Sequence, residues 1–314
     1  MQVPVWAWLG FVALILTLIA VDLLAHSRKD EVTIRSAAVW SVVWAVLGLA
    51  FTLVIGAAYG RERAGEYVAG YLIERALAVD NLFVFALLMN YFAVPRRAQH
   101  KVLMYGVILA LVFRAVFIGL GAALIEQFEW TLFIFGLFLV YTAVRLLLHD
   151  ESEVDPGRNP LLRLIRRRVP MTQDYIGDKV IVVRDHKRLF TPLLAVLVVV
   201  GTTDVVFAVD SIPAIFAITT ETFIVFTSNA FAVLGLLATY FLLAGMMNRF
   251  TYLNYGLAAV LAFVGVKMLL VDPPFTDWAM HLPIGLSLGV IAVCIGLSVG
   301  ASLVRAPRDA RPAD

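Results

Sequence analysis

Cysteine and charged residues are both scarce in this sequence. The 314 residues include one cysteine, Cys294, so the chain cannot form an internal disulfide framework or a thiolate metal cluster. Only 15% of the residues are charged, whereas 61% are hydrophobic, and this excludes an ordinary soluble composition. No Gly-x-x-x-x-Gly-Lys-Ser/Thr phosphate loop occurs, so ATP hydrolysis by this chain is not expected.

Long hydrophobic runs take up most of the chain. A helix crosses the hydrocarbon core of a bilayer with about 20 apolar residues. Nine such segments are predicted, near residues 4–24, 36–59, 68–93, 102–125, 129–148, 190–217, 223–246, 252–271 and 281–304. The first has no basic residues before it, so we interpret it as a retained helix rather than a signal peptide. The predicted fold class is an all-α polytopic membrane protein with about nine transmembrane helices.

Basic residues are divided unevenly among the connections. Lys and Arg prefer cytoplasmic loops. One alternating set of connections holds Arg28, Lys29, Arg35, Arg96, Arg97, Lys101, the basic residues from Arg158 to Arg188, Arg249, Arg305, Arg308 and Arg311. The other set holds only Arg61 and Arg63. We therefore expect the N-terminus outside, the C-terminus in the cytoplasm and, if the chain is bacterial, a multi-pass inner-membrane protein.

One acidic motif occurs twice inside the apolar segments. Span 3 contains Glu74-Arg-Ala-Leu-Ala-Val-Asp80-Asn81, and span 6 contains Asp204-Val-Val-Phe-Ala-Val-Asp210-Ser211. The second copy lies three spans after the first, and an odd offset means that the two copies cross the membrane in opposite directions. Inverted repeats of secondary transporters have this arrangement. We predict a 3+3 inverted repeat. The divisions are 1–60 (spans 1 and 2), 61–148 (first repeat), 149–189 (basic cytoplasmic loop), 190–271 (second repeat), 272–304 (span 9) and 305–314 (cytoplasmic tail).

The four motif acids are costly in a membrane. A carboxylate at the bilayer centre costs roughly 2.5–3.5 kcal/mol on insertion scales, so four would cost about 10–14 kcal/mol. A bound cation, protons, or the arginines Arg75 and Arg114 could each offset this cost.

Helix geometry limits how the acids can share a ligand. A six-residue step leaves two acids roughly 120° apart around the helix and about 9 Å apart along it. Either acids from different helices meet, with Asp80 and Asp210 as the central pair, or span 6 breaks. Thr203 and Pro213 lie beside such a break, which would free carbonyl oxygens as further ligands.

The donors near the motifs are carboxylate, amide, hydroxyl and carbonyl oxygens, without a neighbouring His or Cys. Such a set suits Mg²⁺, Ca²⁺ or Mn²⁺ rather than Cu or Zn. With Arg114, the motifs carry four acids and two bases, a net charge of minus two that one divalent cation balances. A structural ion-pair cluster without a ligand is the alternative. The predicted metal-site residues are Glu74, Asp80, Asn81, Asp204, Asp210 and Ser211, supported by Arg75, Arg114, Thr203 and Pro213.

These residues resemble the TerC/Alx family of integral membrane proteins. Both acidic motifs match its two hallmark segments, and Asn248-Arg249-Phe250 and Gly265-x-Lys267-Met268 match it further along. The resemblance implies Mn²⁺ efflux, with the four motif acids in the metal pathway, and an association with tellurite resistance. This chain departs from the pattern at Gly201, where relatives often carry an acid, and at Leu237, where they often carry Arg.

We therefore expect a secondary transporter that exports Mn²⁺, and other divalent cations, in exchange for protons. No resident cofactor, enzymatic activity or nucleic-acid partner is expected; the expected partners are the metal, membrane lipid, and either further copies of the chain or other membrane proteins. The alternatives are a non-transporting scaffold in metal delivery or in tellurite or envelope stress resistance, an intramembrane enzyme, and an exporter of cationic small solutes.

Three features outside the motifs support weaker predictions. Asp22, at the end of span 1, is a candidate entry ligand, and Glu66, ahead of span 3, is a candidate exit ligand. For each, an acid at the interface or in a solvated loop is the simpler interpretation, because charges at helix ends cost little. The run Leu161–Arg168 predicts either a short amphipathic helix on anionic lipid or a basic cluster that sets topology.

Overall fold

The computed structural model describes residues 3–26, 33–128, 130–148, 160–184, 187–244, 252–271 and 284–305. Helices dominate them. The helices are α1 (Val5–His26), α2 (Ile34–Tyr59), α3 (Arg61–Tyr91), α4 (Arg96–Gln127), α5 (Thr131–Leu148), α6 (Pro160–Arg168), α7 (Pro192–Phe216), α8 (Thr222–Leu234), α9 (Leu236–Ala244), α10 (Leu253–Val271) and α11 (Ile284–Arg305). The strands β1 (Ile181–Arg184) and β2 (Lys187–Phe190) form an antiparallel hairpin between α6 and α7.

The long helices agree with the predicted membrane spans. Within the described residues, six helices are long and apolar enough to cross a membrane, and the bent pair α8–α9 makes a seventh. The helices α3 and α10 correspond to predicted spans 3 and 8. Charged residues crowd the first turns of α3, and the apolar part of α10, Asn254–Leu270, is short. The all-helical membrane fold is thus confirmed, while the count of nine spans stays a prediction.

Of the two alternatives for the motif acids, the one in which span 6 breaks does not agree with the structure. Helix α7 runs without interruption through Pro213, which lies in its last turn and removes one backbone hydrogen bond there. The break lies in the next span instead, where α8 and α9 meet at an angle of 42° on either side of Gly235. Arg75 of α3 reaches this bend and donates hydrogen bonds to the carbonyl oxygen of Ala232 and to the hydroxyl of Thr239. A Cβ at Gly235 would collide with that guanidinium.

Helix α3 begins earlier than the hydropathy pattern predicts. Gly60 adopts φ +91°, a conformation that favours glycine, and this residue separates α2 from α3. The acids ahead of the predicted span are therefore helical, and Glu66 is only 6% exposed. The interpretation of Glu66 as a solvated loop acid is wrong, because the ends of neighbouring helices enclose it.

Helices α3 and α7, which carry the two motifs, run antiparallel. Near the start of α3, Glu66 accepts a hydrogen bond from Thr219, which follows the end of α7. At the opposite end, the hydroxyl of Tyr175, ahead of α7, donates to the carbonyl oxygen of Phe92, which follows α3. We call these two ends of the helix core the Glu66 end and the Tyr175 end.

The other helices that the repeat relates to each other are antiparallel as well. Tyr240 of α9 donates to Gln99 near the start of α4, at 3.3 Å, while Ile118 near the end of α4 clusters with Val225 of α8. Helix α5 packs most extensively on α10, and the two are antiparallel, because Gly136 lies against Met268 while Gly265 lies against Leu139. Each helix of residues 61–148 therefore has an antiparallel counterpart in residues 192–271.

The pattern of helix packing is compatible with the repeat, which stays a prediction. Helix α3 packs most extensively on α8, and α4 packs most extensively on α7. In the predicted repeat, α3 corresponds to α7 and α4 corresponds to α8–α9. The α3–α8 contact of one pairing is therefore the counterpart of the α7–α4 contact of the other. Helix α2 lies against α3 and α9, and α11 lies against α10 and α3, so the helices outside the predicted repeats surround this core.

The segment between α6 and α7 covers the Tyr175 end. Leu162 of α6 is buried, and Met171, Tyr175 and Val180 pack on the same hydrophobic cluster as the ends of α3 and α7. Lys101 of α4 forms an ion pair with Asp178 at 3.2 Å. Of the two interpretations of Leu161–Arg168, the short helix agrees with α6, while its contact with lipid stays a prediction; the hairpin was not predicted.

Candidate metal site

A buried ion pair lies in the middle of the helix core. Glu74 of α3 has no exposed surface, and Arg114 of α4 is 1% exposed. The guanidinium Nη1 of Arg114 donates a hydrogen bond to Glu74 Oε2. Because a buried charge without a partner is strongly destabilising, each of these residues holds the other in the core.

Asp204 of α7 is the third charged member of this cluster. Its side chain is 2% exposed, and it is close enough to Arg114 and Glu74 to interact electrostatically with both. Several polar atoms of the three-residue cluster have no hydrogen-bond partner among the described residues. They are Glu74 Oε1, Asp204 Oδ2, and Nε and Nη2 of Arg114. Buried polar atoms are normally satisfied. This cluster therefore has spare ligating and donating capacity.

The packing of α3 on α7 sets the depth of each motif residue. Glu66 meets Thr219, and one turn later a Cβ at Gly70 would lie 3.4 Å from Ile215. Continuing this antiparallel register brings the backbone of Glu74 level with Ser211. By the same register, the backbone of Asn81 lies level with Asp204. By this register the two motifs form two levels, each with residues from both helices, about 10.5 Å apart for a seven-residue helical step.

Arg114 lies between these two levels. Helices α4 and α7 run side by side in the same direction, since a Cβ at Gly106 would lie 3.2 Å from Val200 and Gly121 packs against Phe216. That register places Arg114 about level with Ala208, midway between the acids of the α7 motif. Its guanidinium is therefore positioned between Glu74 on one level and Asp204 on the other.

A small cavity adjoins Asp204. Its volume is about 10 Å³, close to what one water molecule needs. Asp204 is its charged lining residue, and the remaining lining residues are Leu82, Phe85, Leu103, Gly106, Val107, Ala110, Leu236 and Leu237. Leu237 is one of the two positions that depart from the family pattern, so a cationic side chain at that position would border Asp204 directly.

The remaining predicted residues fall around this cluster. Asn81 and Ser211 are buried, and the Ser211 hydroxyl has no partner among the described residues. Thr203 is half-buried and Pro213 is buried. The backbones of Asp80 and Asp210 lie in α3 and α7, but their side chains lie outside the described part of the structure. The register separates their backbones by about five residues, or about 7.5 Å, so a direct Asp80–Asp210 pair stays a prediction.

Two predicted acids lie away from the cluster. Asp22 is buried at 8% exposure in α1. Glu66 belongs to a separate ionic cluster at the Glu66 end, where it binds Arg63 at 2.7 Å and Thr219 at 2.7 Å. Arg63 also pairs with Glu221 at 3.0 Å. In the described part of the chain, no group of three or more His, Cys, Asp or Glu side chains could hold a metal ion.

Sequence reasoning missed this second cluster and its cavity. A cavity of about 230 Å³ opens at the Glu66 end, and its lining includes Arg63, Glu66, Thr219 and Lys267. Lys267 of α10 donates to Ser287 of α11 at 3.1 Å. The signal available in the sequence was the charge-rich segment ahead of span 3, but only packing shows that α7 ends beside it.

Comparison with known proteins agrees with these observations. Residues 59–310 match the family described as "Integral membrane protein TerC family". The chain is 47% identical over 295 residues to the Escherichia coli K12 protein named "Putative membrane-bound redox modulator Alx", covering 90% of each chain. It is 44% identical over 302 residues to the protein of that name from Photorhabdus laumondii, covering 93% of this chain and 92% of the relative.

A third relative, an uncharacterized membrane protein of Myxococcus xanthus, is 42% identical over 299 residues, covering 95% of this chain and 92% of the relative. No solved structure shows significant similarity to the chain. The residues that match the family include both acidic motifs and most of the helix core. The similarity to the three relatives extends over nearly the whole length of this chain. The chain is therefore a member of the TerC family of integral membrane proteins.

Proposed function

We propose that this protein is a secondary transporter that exports Mn²⁺, and with it other divalent cations, from the cytoplasm. The observation that carries the proposal is the buried cluster of Glu74, Arg114 and Asp204, whose carboxylates keep oxygens without a partner among the described residues. Ionisable groups inside a membrane are costly and are by default functional. Here they come from both motifs and converge on one region.

The architecture supports transport. Secondary transporters are commonly built from inverted repeats with the binding site where the repeats meet. The antiparallel pairing of α3 with α7, of α4 with α8–α9, and of α5 with α10 is what such a repeat requires. On this proposal α3 and α10 are also spans, giving nine, and the bent pair α8–α9 is one of them.

The donor chemistry selects the class of cargo. Carboxylate, amide and hydroxyl oxygens at Glu74, Asn81, Asp204 and Ser211 form a hard ligand set, which suits Mn²⁺, Mg²⁺ or Ca²⁺. The side chains of Asp80 and Asp210 would complete the two levels. An export path built on acids from two levels also offers the cation successive positions along the core.

Energy for export has to come from outside the chain. Moving a divalent cation out against an inside-negative potential costs about 4.6 kcal/mol per 100 mV. Exchange for incoming protons supplies this energy, with the motif carboxylates carrying protons when the metal has left. The N-terminus lies outside and the Tyr175 end faces the cytoplasm in this proposal, following the distribution of Lys and Arg.

A non-transporting role is the second candidate. The name of the Escherichia coli relative describes redox modulation. In a protein with such a role, the buried acids would stabilise the fold and would not bind a transported metal. The sole cysteine, Cys294 of α11, is half-buried, so thiol chemistry by this chain would have to involve another molecule. Ion flux separates the two candidates, because a scaffold moves no ion.

The test is Mn²⁺ flux in proteoliposomes under an imposed pH gradient. We expect uptake by wild-type protein and loss of at least about 100-fold in Asp204→Asn, since the amide removes the negative charge and leaves one ligating oxygen in place of two. The matched control is Glu66→Gln, which alters a buried acid of the separate ionic cluster. Flux in neither gradient direction by folded wild-type protein would reject the transporter and favour the scaffold.

A further inference from the structure

Arg114 is a cation inside a site that the proposed function assigns to a metal cation. A guanidinium stays protonated in proteins, so this positive charge is permanent. It lies with Glu74 and Asp204 in the closed core, where all three residues are at most 2% exposed. A site with a resident positive charge should repel a divalent cation unless that charge moves or is offset. Its presence therefore needs an explanation within a transport cycle.

We propose that Arg114 is a tethered counter-cation. Its guanidinium pairs with the carboxylates of Glu74 and Asp204 when no metal is bound. When a metal ion binds, the two carboxylates coordinate the metal instead of pairing with Arg114. This inference rests on the proposed function and deepens it. In the described structure Arg114 is bonded to Glu74 and interacts electrostatically with Asp204, which is the arrangement that this role requires before metal binds.

The position of Arg114 fits this role. It projects from α4 about level with Ala208, between the Glu74 level and the Asp204 level of the two motifs. A planar guanidinium with five donors can contact carboxylates on two sides, which a lysine ammonium does less well. Its Nε and Nη2 have no partner among the described residues. Within the described part of the chain, these two donors are thus available to a second carboxylate while Nη1 holds Glu74.

The contrast with Arg75 strengthens the assignment. Arg75 is also largely buried in this core, but its hydrogen bonds go to the Ala232 carbonyl and the Thr239 hydroxyl. Those acceptors are uncharged and lie at the α8–α9 bend. Arg75 therefore stabilises the bend, whereas Arg114 neutralises carboxylates.

A counter-cation matters for one half of the transport cycle. Net export requires the metal-free carrier to return with its protons, and any motif carboxylate that stays ionised in that form is costly in a membrane core. Arg114 lowers that cost by replacing part of the lost metal charge. Exchange of metal for metal across the membrane does not involve the empty carrier. Removing Arg114 should therefore block net export while sparing exchange.

The experiment compares both processes in the same proteoliposomes. Net efflux is measured into metal-free medium, and exchange is measured with radioactive manganese at equal Mn²⁺ concentrations on both sides. In Arg114→Gln we expect the ratio of net efflux to exchange to fall at least about tenfold, because two buried carboxylates lose their counter-cation. Arg75→Gln is the matched control, and its ratio should equal that of the wild type.

A second variant keeps the test decisive if Arg114→Gln does not fold. Arg114→Lys retains the charge but reaches one carboxylate at a time, so the ratio should fall about threefold with exchange preserved. An unchanged ratio, a similar fall in Arg75→Gln, or joint loss of exchange and net efflux in folded protein would overturn the counter-cation. Absence of both processes in the wild type would instead reject the proposed function.

Discussion

The two ionic clusters of the core differ in how completely they are bonded. At the Glu66 end, both carboxylate oxygens of Glu66 accept from Arg63, and Thr219 adds a third hydrogen bond. In the middle of the core, Arg114 donates one bond to Glu74, and Asp204 Oδ2 has no described partner. Both clusters combine acids with arginine, yet among the described residues Glu66 of the first has both carboxylate oxygens bonded and the acids of the second do not.

This difference separates a structural cluster from a ligand site. A satisfied network rigidifies the elements that it joins, and the Glu66 cluster joins the start of α3 to the connection between α7 and α8. An unsatisfied buried network costs free energy and persists where it has another use. The comparison predicts that changes at the Glu66 end affect stability, whereas changes in the middle affect both transport and stability.

The largest effect is expected from Glu74→Gln. This change leaves Arg114 without its bonded carboxylate in the core, and breaking a buried ion pair costs about 3–5 kcal/mol. Thermal unfolding in detergent should show a marked loss of stability, together with loss of Mn²⁺ flux in any folded fraction. An unfolding temperature equal to that of the wild type would mean that the pair contributes little.

Glu66→Gln should produce a smaller loss with a different character. A hydrogen bond to a charged group contributes about 1.5–3 kcal/mol, and Arg63 keeps its pairing with Glu221. We expect reduced thermal stability and Mn²⁺ flux within about twofold of the wild type. If a well-folded Glu66→Gln variant showed no Mn²⁺ flux, Glu66 would belong to the metal pathway. The assignment of its cluster as purely structural would then be wrong.

Thr219→Val tests one bond of the Glu66 cluster. The hydroxyl donates to Glu66 at 2.7 Å and accepts from the backbone N–H of Glu221 at 3.2 Å. Replacing it with a methyl group of similar size should cost about 1.5 kcal/mol, the lower end for a hydrogen bond to a charged group. Unfolding in denaturant measures this cost, and Thr220→Val, at an exposed position, is the control.

The smallest effect is expected from Asp178→Asn at the Tyr175 end. The hydrogen bond from Lys101 lowers the pKa of Asp178 below its usual range, but the aspartate side chain is 55% exposed. Such an exposed pair contributes at most about 0.5 kcal/mol. Because the folded pKa is the lower one, the contribution is present above about pH 4 and is lost as the pH falls further.

The check is therefore the difference in unfolding free energy between wild type and Asp178→Asn, measured at pH 7 and below pH 4. It should shrink toward zero in acid. A difference that grows as the pH falls would contradict the assigned ion pair.

Much of the fold follows from composition and spacing. The predicted spans 4–24 and 36–59 coincide within a few residues with α1 and α2, because apolar runs of that length are stable only as helices in a bilayer. The motif acids were identified for the same reason, since an acid inside an apolar run stands out. The start of α3 was misplaced because charged residues lower local hydropathy even where helix ends enclose them.

The candidate site was predicted only in outline. Glu74, Arg114 and Asp204 were all candidates, but nothing in the sequence indicates that Arg114 bonds to Glu74 rather than remaining at a helix surface. The break was assigned to Pro213 on local propensity, whereas the bend occurs at Gly235, where the guanidinium of Arg75 binds the backbone. A proline or glycine in the sequence shows where a helix can break. Which of these positions bends depends on the side chain that packs against it from another helix, here Arg75 at Gly235.

The sequence by itself therefore determined the membrane class, the helix segments and the repeated acids, because the bilayer imposes length and polarity on each segment separately. Only the tertiary structure decided the depth of each acid, the pairing of Arg114 with Glu74, and the separation of the Glu66 cluster from the central one. These depend on register between helices that are distant in sequence. Register is set by the packing of residues such as Gly70 against Ile215, which no single segment encodes.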